Sequence, residues 1–248
     1  MPVPPVVMTI AGSDSGGGAG IQADLMAIRD LGGFGVTVVT ALTAQNTQGV
    51  THVVPVEIPM VRAQFETICA DMRPAAVKIG MLATAALVRE VTHCLAALPA
   101  SVPVVLDPVM VATSGDRLLD HDAVQALGPL MSRATLVTPN LPEMAVIQQE
   151  LPAWAEALTL LVTGGDADTA EVVDRLHVDG HETTWRTPRV AGGPFHGTGC
   201  TLSAAIACHL AHGLSLEASV ETSIAYVQDR LRTAFSPGQG SQVLGLRH

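Results

Sequence analysis

The chain has 248 residues, 48% of them hydrophobic, with 23 glycines and only 3% aromatics. That suits one α/β domain with a sizeable core packed by Val, Ile, Leu, Ala and Met. The formal net charge of -10 argues against nucleic acid or an anionic membrane surface as the main partner. No apolar run reaches the roughly 18 to 20 residues that span a bilayer, and the opening Met1-Pro2-Val3-Pro4-Pro5 has no basic region of a secretory leader. A cytoplasmic location is the expectation.

Residues 6–10 form a short apolar run that ends in Ala11-Gly12-Ser13-Asp14-Ser15-Gly16-Gly17-Gly18-Ala19-Gly20. Ile21, Leu25, Ile28 and Leu31 then share a helical stripe, so this is a strand, a glycine loop and a helix. A dinucleotide fold competes weakly. Gly18-Ala19-Gly20-Ile21-Gln22-Ala23 fits only the loose fingerprint, and the second strand, 36–41, ends without an acidic residue for a ribose. No GK[ST] occurs, so there is no P-loop. Residues 43–50 are polar and turn-rich. Their amides suit the edge of a nitrogen heterocycle, or simply a solvated hairpin. Pro59 opens a helix reaching residue 72, and 75–79 is a buried strand leading into Gly80-Met81. Thr84 reads as the N-cap of a helix to residue 98.

Residues 104–106 are a strand, and Asp107 leaves its carboxyl end, where open parallel sheets bind ligands. A polar loop follows at 113–116. After a strand at 135–137, Asn140 and Glu143 bracket a turn. Such an oxygen pair suits hydrated magnesium, although a first-turn carboxylate facing the helix dipole explains Glu143 as well. The strand 158–162 ends in Thr163-Gly164-Gly165-Asp166, and 172–178 with 183–187 read as an antiparallel edge. Helices at about 201–212 and 216–235 precede a frayed tail at 237–240. Alternating strands and helices imply a mostly parallel sheet covered on both faces.

Cys69, Cys94, Cys200 and Cys208 show neither zinc-ligand nor disulfide-framework spacing, and Cys69 and Cys94 fall in apolar helical patterns. Phe195-His196-Gly197-Thr198-Gly199-Cys200-Thr201 opens an apolar helix. Unpaired N–H groups and the positive end of the dipole converge there on one small volume, which suits an anion. Cys200 lies in the first turn, where a lowered thiol pKa is expected. A tight turn with a small buried cysteine is the plainer alternative.

Seven motifs stand in order between residues 7 and 212: Thr9-Ile10-Ala11-Gly12-Ser13-Asp14; Gly17 to Leu25; Thr40 to Thr47; Lys78-Ile79-Gly80-Met81-Leu82; Leu106-Asp107-Pro108-Val109-Met110; Thr138-Pro139-Asn140-Leu141-Pro142-Glu143; and His196 to Thr201. The set resembles the hydroxymethylpyrimidine/phosphomethylpyrimidine kinases of thiamine biosynthesis, within the ribokinase-like superfamily. The resemblance implies a single three-layer α/β/α domain over residues 1–248, with a small antiparallel edge on its central sheet. It implies ATP as co-substrate with Mg2+, a small pyrimidine acceptor, and a homodimer.

By position, the resemblance assigns Gln45 to the aminopyrimidine edge, with Asp24, Gly12, Met81 and Val109 nearby. The backbone of Gly197, Thr198, Gly199 and Cys200 becomes the anion hole, and Cys200 stands where many related sugar kinases carry an aspartate base. Asp107, Asn140, Thr163 and Gly165 fall on the ATP side, with Glu143 at the magnesium. A lowered-pKa Cys200 would then serve transfer to the alcohol, whereas a monophosphate acceptor needs no base.

Three departures accompany the match. Thr163 replaces a usual lysine, and Lys78 is the chain's only lysine; 19 residues separate Glu143 from Thr163, fewer than expected; Pro194-Phe195 replaces Asn-Thr. A pyridoxal kinase of the same superfamily and a non-catalytic pyrimidine binder are the competing readings.

Overall fold

The computed structural model describes residues 3–110, 121–155 and 157–245, so the polar loop at 113–116 lies outside the described residues. One sheet contains β1 (Val6–Ser13), β2 (Phe34–Asn46), β3 (Gly49–Pro55), β4 (Ala76–Ile79), β5 (Val104–Leu106), β6 (Leu136–Val137), β7 (Leu160–Val162), β8 (Glu171–Val178) and β9 (His181–Pro188). Its order is β3-β2-β1-β4-β5-β6-β7-β8-β9. From β2 to β7 every pairing is parallel, while β3 at one edge and β8–β9 at the other are antiparallel.

The strands read as continuous apolar runs because helices cover both faces. Met8, Ile10, Val77, Ile79, Val104 and Leu106 pack toward α2 (Ile58–Asp71), α3 (Ala85–Leu95), α4 (His121–Arg133), α5 (Leu141–Glu150) and the short α6 (Pro152–Ala155). The alternate residues Val7, Ala76 and Val105 pack toward Ile28 of α1 (Gly20–Asp30), Ile206 of α7 (Thr198–Ala211) and Val220 of α8 (Leu216–Arg232). This is the expected three-layer α/β/α arrangement. β1 has parallel partners on both sides, β2 and β4, so the chain direction across the sheet reverses there. A crevice opens at the carboxyl ends of the strands at such a point.

Two segments differ from the sequence reading. β2 runs on to Asn46 instead of ending at residue 41, and its polar residues 43–46 pair with β3 in a hairpin, the plainer of the two readings of 43–50. The tail is not frayed. β11 (Gln242–Val243) pairs with β10 (Phe195–His196), and Phe235 N–H donates to the Val243 carbonyl at 3.1 Å. Upstream, Gly240 N–H donates to Thr47 Oγ1 at 3.2 Å and Ser241 N–H to the Thr47 carbonyl at 2.8 Å. Proline and glycine turn the chain here, but its backbone donors are satisfied by two neighbouring loops, so it is ordered.

Candidate active site

The carboxyl ends of β1, β2, β4, β5, β6 and β7 open into one cavity of about 600 Å³, closed on its far side by the start of α7 and by α8. At its centre is the anion turn. Gly197 caps α7 at φ 83, and a side chain there would overlap the Gly18 carbonyl oxygen, so only glycine lets the two loops meet. The first N–H groups of α7 have no acceptor within the helix, and Thr198, Gly199 and Cys200 all line the cavity.

The expected lowering of the Cys200 pKa is not what the surroundings produce. Burial pushes the thiol up to about 12; Lys78 and the Gly20 N–H lower it, repulsion from Asp107 and Asp24 raises it, and desolvation is the largest of these effects. The helix dipole that a first-turn cysteine enjoys is overridden by desolvation and nearby carboxylates. Cys200 is a neutral thiol at neutral pH.

Asp24 does not line the cavity. It is fully buried on α1, behind the wall, with both carboxylate oxygens 2.9 Å from Lys78 Nζ and one accepting from Thr9 Oγ1 at 2.6 Å. Lys78 itself, also 0% exposed, does line the cavity. Burial pushes both groups toward neutrality, raising Asp24 and lowering Lys78, but attraction to Asp24, Cys200 and Asp107 wins for the ammonium and holds it above its usual range. The contact geometry makes this an ionised pair. Lys78 is a site residue that motif reading passed over; its signal was a lone lysine inside a buried strand.

Asp107 leaves β5 and is 7% exposed. Ser203 Oγ donates to its Oδ2 at 3.4 Å. Val109 follows at φ 37, a conformation strained for a β-branched residue. The strained turn is held by Met110 N–H donating to Glu143 Oε1 at 2.9 Å. Glu143 closes a capping box with Asn140: its Oε2 accepts from Asn140 N–H at 3.1 Å, and Asn140 Oδ1 accepts from Glu143 N–H at 2.9 Å. The helix-start reading of Glu143 therefore holds whatever else it does. Burial pushes Asp107 up to about 6, and burial with repulsion from Asp107 pushes Glu143 up to about 7. Two facing carboxylates that resist ionisation are a site where a hard divalent cation would be welcome.

At one end, Gly12, Met81, Val109 and Gln45 line the cavity together. His196 Nε2 faces Asp14 Oδ2 at 3.0 Å and the Gln45 amide at 2.8 Å. Asp14 is held below the usual carboxylate range: burial raises it, but His196 and the N–H groups of Gly16 and Ala19 outweigh burial. His196 Nε2 stands between Asp14 Oδ2 and Gln45 Nε2, while Gln45 Oε1 accepts from Thr43 Oγ1 at 3.4 Å. His196 and Asp14 thus orient Gln45. Both stood inside recognised motifs, but nothing in the sequence showed that they meet across 182 residues.

At the other end, Thr163 lies beside Asn140, its N–H donating to the Pro139 carbonyl at 2.9 Å. Gly165 is exposed at the mouth. Apolar Val172, Val190, Ile224, Val227 and Leu231 line the wall there, with Arg189 beside Gly165. That is a slot for a flat apolar group next to polar loops.

The sequence matches the phosphomethylpyrimidine kinase family over residues 14–245. It is 41% identical to a hydroxymethylpyrimidine/phosphomethylpyrimidine kinase of Streptomyces coelicolor, covering 96% of this chain and 92% of that one. A Rhizobium meliloti protein of the same description is 43% identical, with 95% and 94% covered. The chain is also 42% identical to the thiamine biosynthesis multifunctional protein ThiED of Corynebacterium efficiens, of whose length it spans only 34%. Among solved structures, phosphomethylpyrimidine kinase from Clostridium difficile superposes at TM-score 0.77 with 35% identity over 90% of this chain and 98% of that one. The pyridoxal kinase of Staphylococcus aureus with AMP-PCP and pyridoxal gives 0.87 with 26% identity over 98% and 93%. With this fold and a family match that spans nearly the whole sequence, the chain belongs to the phosphomethylpyrimidine kinase family.

Proposed function

We propose that this chain, acting as one domain, phosphorylates 4-amino-5-hydroxymethyl-2-methylpyrimidine with ATP and then phosphorylates the monophosphate to the diphosphate, in thiamine biosynthesis. The observation that carries this is the anion turn at Gly197–Cys200 between two ends of one cavity, an amide-bearing end and an apolar one. Phosphoryl transfer needs mostly positioning and charge stabilisation, and the layout supplies both. Gln45, oriented by His196, fixes the ring edge against Gly12, Met81 and Val109. The N–H groups of Gly197, Thr198, Gly199 and Cys200 collect charge on the transferred phosphoryl. Thr163, Gly165 and the apolar wall take the nucleotide.

Asp107 and Glu143 would hold Mg2+, with Asn140 fixing the turn between them. Magnesium, when bound, neutralises phosphate charge. As a neutral thiol, Cys200 does not take the alcohol proton as a resting base; it contributes its backbone N–H and its packing beside the acceptor. The homodimer belongs to the same proposal: β3 is an edge strand, and Leu42, Val54 and Met60 near it are 56%, 60% and 56% exposed. Four free cysteines suit a reducing compartment, the cytoplasm.

Pyridoxal phosphorylation is the second reading, because the backbone superposes better on pyridoxal kinases (0.87) than on the Clostridium enzyme (0.77). Product mass spectrometry with magnesium-ATP and each acceptor decides. Pyrimidine mono- and diphosphate are expected; pyridoxal phosphate alone would move the assignment, and no product from any acceptor would refute it.

A further inference from the structure

The nucleotide end of the cavity is acidic. Asp107, Glu143, Asp166 and Asp174 line it, and among the described residues the Lys and Arg side chains that line the cavity are Lys78 and Arg189. Lys78 is committed to Asp24, and Thr163 at the end of β7 brings no charge. Among the described residues, a polyphosphate entering here meets one available cation, Arg189.

Arg189 sits just beyond β9, with its own N–H donating to the Ala170 carbonyl at 3.0 Å. Its Nε donates to the Thr169 carbonyl at 2.7 Å, Nη1 to the Gly165 carbonyl at 2.9 Å, and Nη2 to the Ala167 carbonyl. All three acceptors belong to the loop that follows β7. Neutral carbonyls fix the guanidinium plane without cancelling its charge. Although Asp166 and Asp168 lie in that loop, no ion pair is formed between Arg189 and a carboxylate among the described residues. Of the five N–H donors of a guanidinium, three are used and two remain without an acceptor among the described residues. A guanidinium held flat with two spare donors is arranged for bidentate recognition of phosphate.

We propose that Arg189 binds the polyphosphate of the nucleotide, supplying the positive charge that Thr163 does not. This rests on the kinase reading above, and it concerns binding, so it can be tested without turnover. Calorimetric titration with ADP, AMP and adenosine is run on the wild type, Arg189→Ala, Arg189→Gln and Arg189→Lys, with thermal melts alongside. Losing a charged hydrogen-bond pair to phosphate weakens ADP about tenfold or more, while adenosine affinity stays within about twofold. Arg189→Gln keeps donors for the loop carbonyls but not the charge, so it behaves like the alanine variant toward ADP even if Arg189→Ala is poorly folded. Arg189→Lys recovers part of the loss. Raising salt weakens ADP binding less in Arg189→Gln than in the wild type. Equal losses for ADP and adenosine would mean that Arg189 only holds the loop and would overturn the proposal, as would unchanged ADP binding in Arg189→Gln. Failure of the wild type to bind any of the three would instead overturn the kinase reading itself.

Discussion

Replacing Lys78 by methionine removes the cation from a pair in which both side chains are 0% exposed. Met fills a similar volume, so the loss is electrostatic rather than a cavity. Asp24 is left fully buried, both oxygens deprived of the cation 2.9 Å away, with the Thr9 hydroxyl as its remaining side-chain donor among the described residues. Breaking a buried pair on one side costs about 3–5 kcal/mol. At about 2–4 °C per kcal/mol for a domain of this size, Tm falls by about 6–20 °C. Lys78→Met/Asp24→Asn removes the stranded charge and keeps an acceptor for Thr9, so it recovers at least about half of the loss. Thermal melts followed by circular dichroism read both numbers. A Lys78→Met variant within about 3 °C of wild type, or a double variant as unstable as the sum of the singles, would refute the argument that the pair is ionised and isolated from water.

Cys200→Ala should reduce transfer to the alcohol by about tenfold or less, well short of the 10² to 10⁴ of a full general base, and transfer to the monophosphate less still. Single-turnover rates with each acceptor check this, and a loss above 10³ confined to the alcohol would restore the thiolate base. Asp14 is held below its ordinary value, so its contribution to stability is complete above about pH 4 and is lost as pH falls through its lower folded pKa. Asp14→Asn should therefore flatten the acid limb of a Tm-against-pH curve; an unchanged limb means that the His196 and backbone bonds are not what hold the carboxylate. At Gly240 a side chain would overlap the Thr47 carbonyl. Gly240→Val should lift the tail from the hairpin that carries Gln45, raising the pyrimidine KM several-fold and leaving nucleotide affinity unchanged, as steady-state kinetics with each substrate varied would show.

The sequence determined the parts whose chemistry is local. Residues 6–25 announce strand, glycine loop and helix because the apolar period changes across the glycines. Thr84 caps its helix through the Leu87 N–H at 3.2 Å, and Asn140 with Glu143 forms a cap of known spacing. The anion turn is legible because a glycine at positive φ opening a helix makes unpaired donors wherever it occurs. The sequence could not decide what depends on long-range approach. It did not show that Asp24 turns behind the wall to Lys78, 54 residues away, or that His196 aims Gln45 through Asp14. The ordered tail was hidden because its partners, Thr47 and Pro194, come from distant loops. The Cys200 pKa was misjudged for the same reason. A helix start predicts an anion-friendly thiol, but burial beside Asp107 and Asp24 reverses the sign, and only tertiary packing sets how much water and how many carboxylates surround a group.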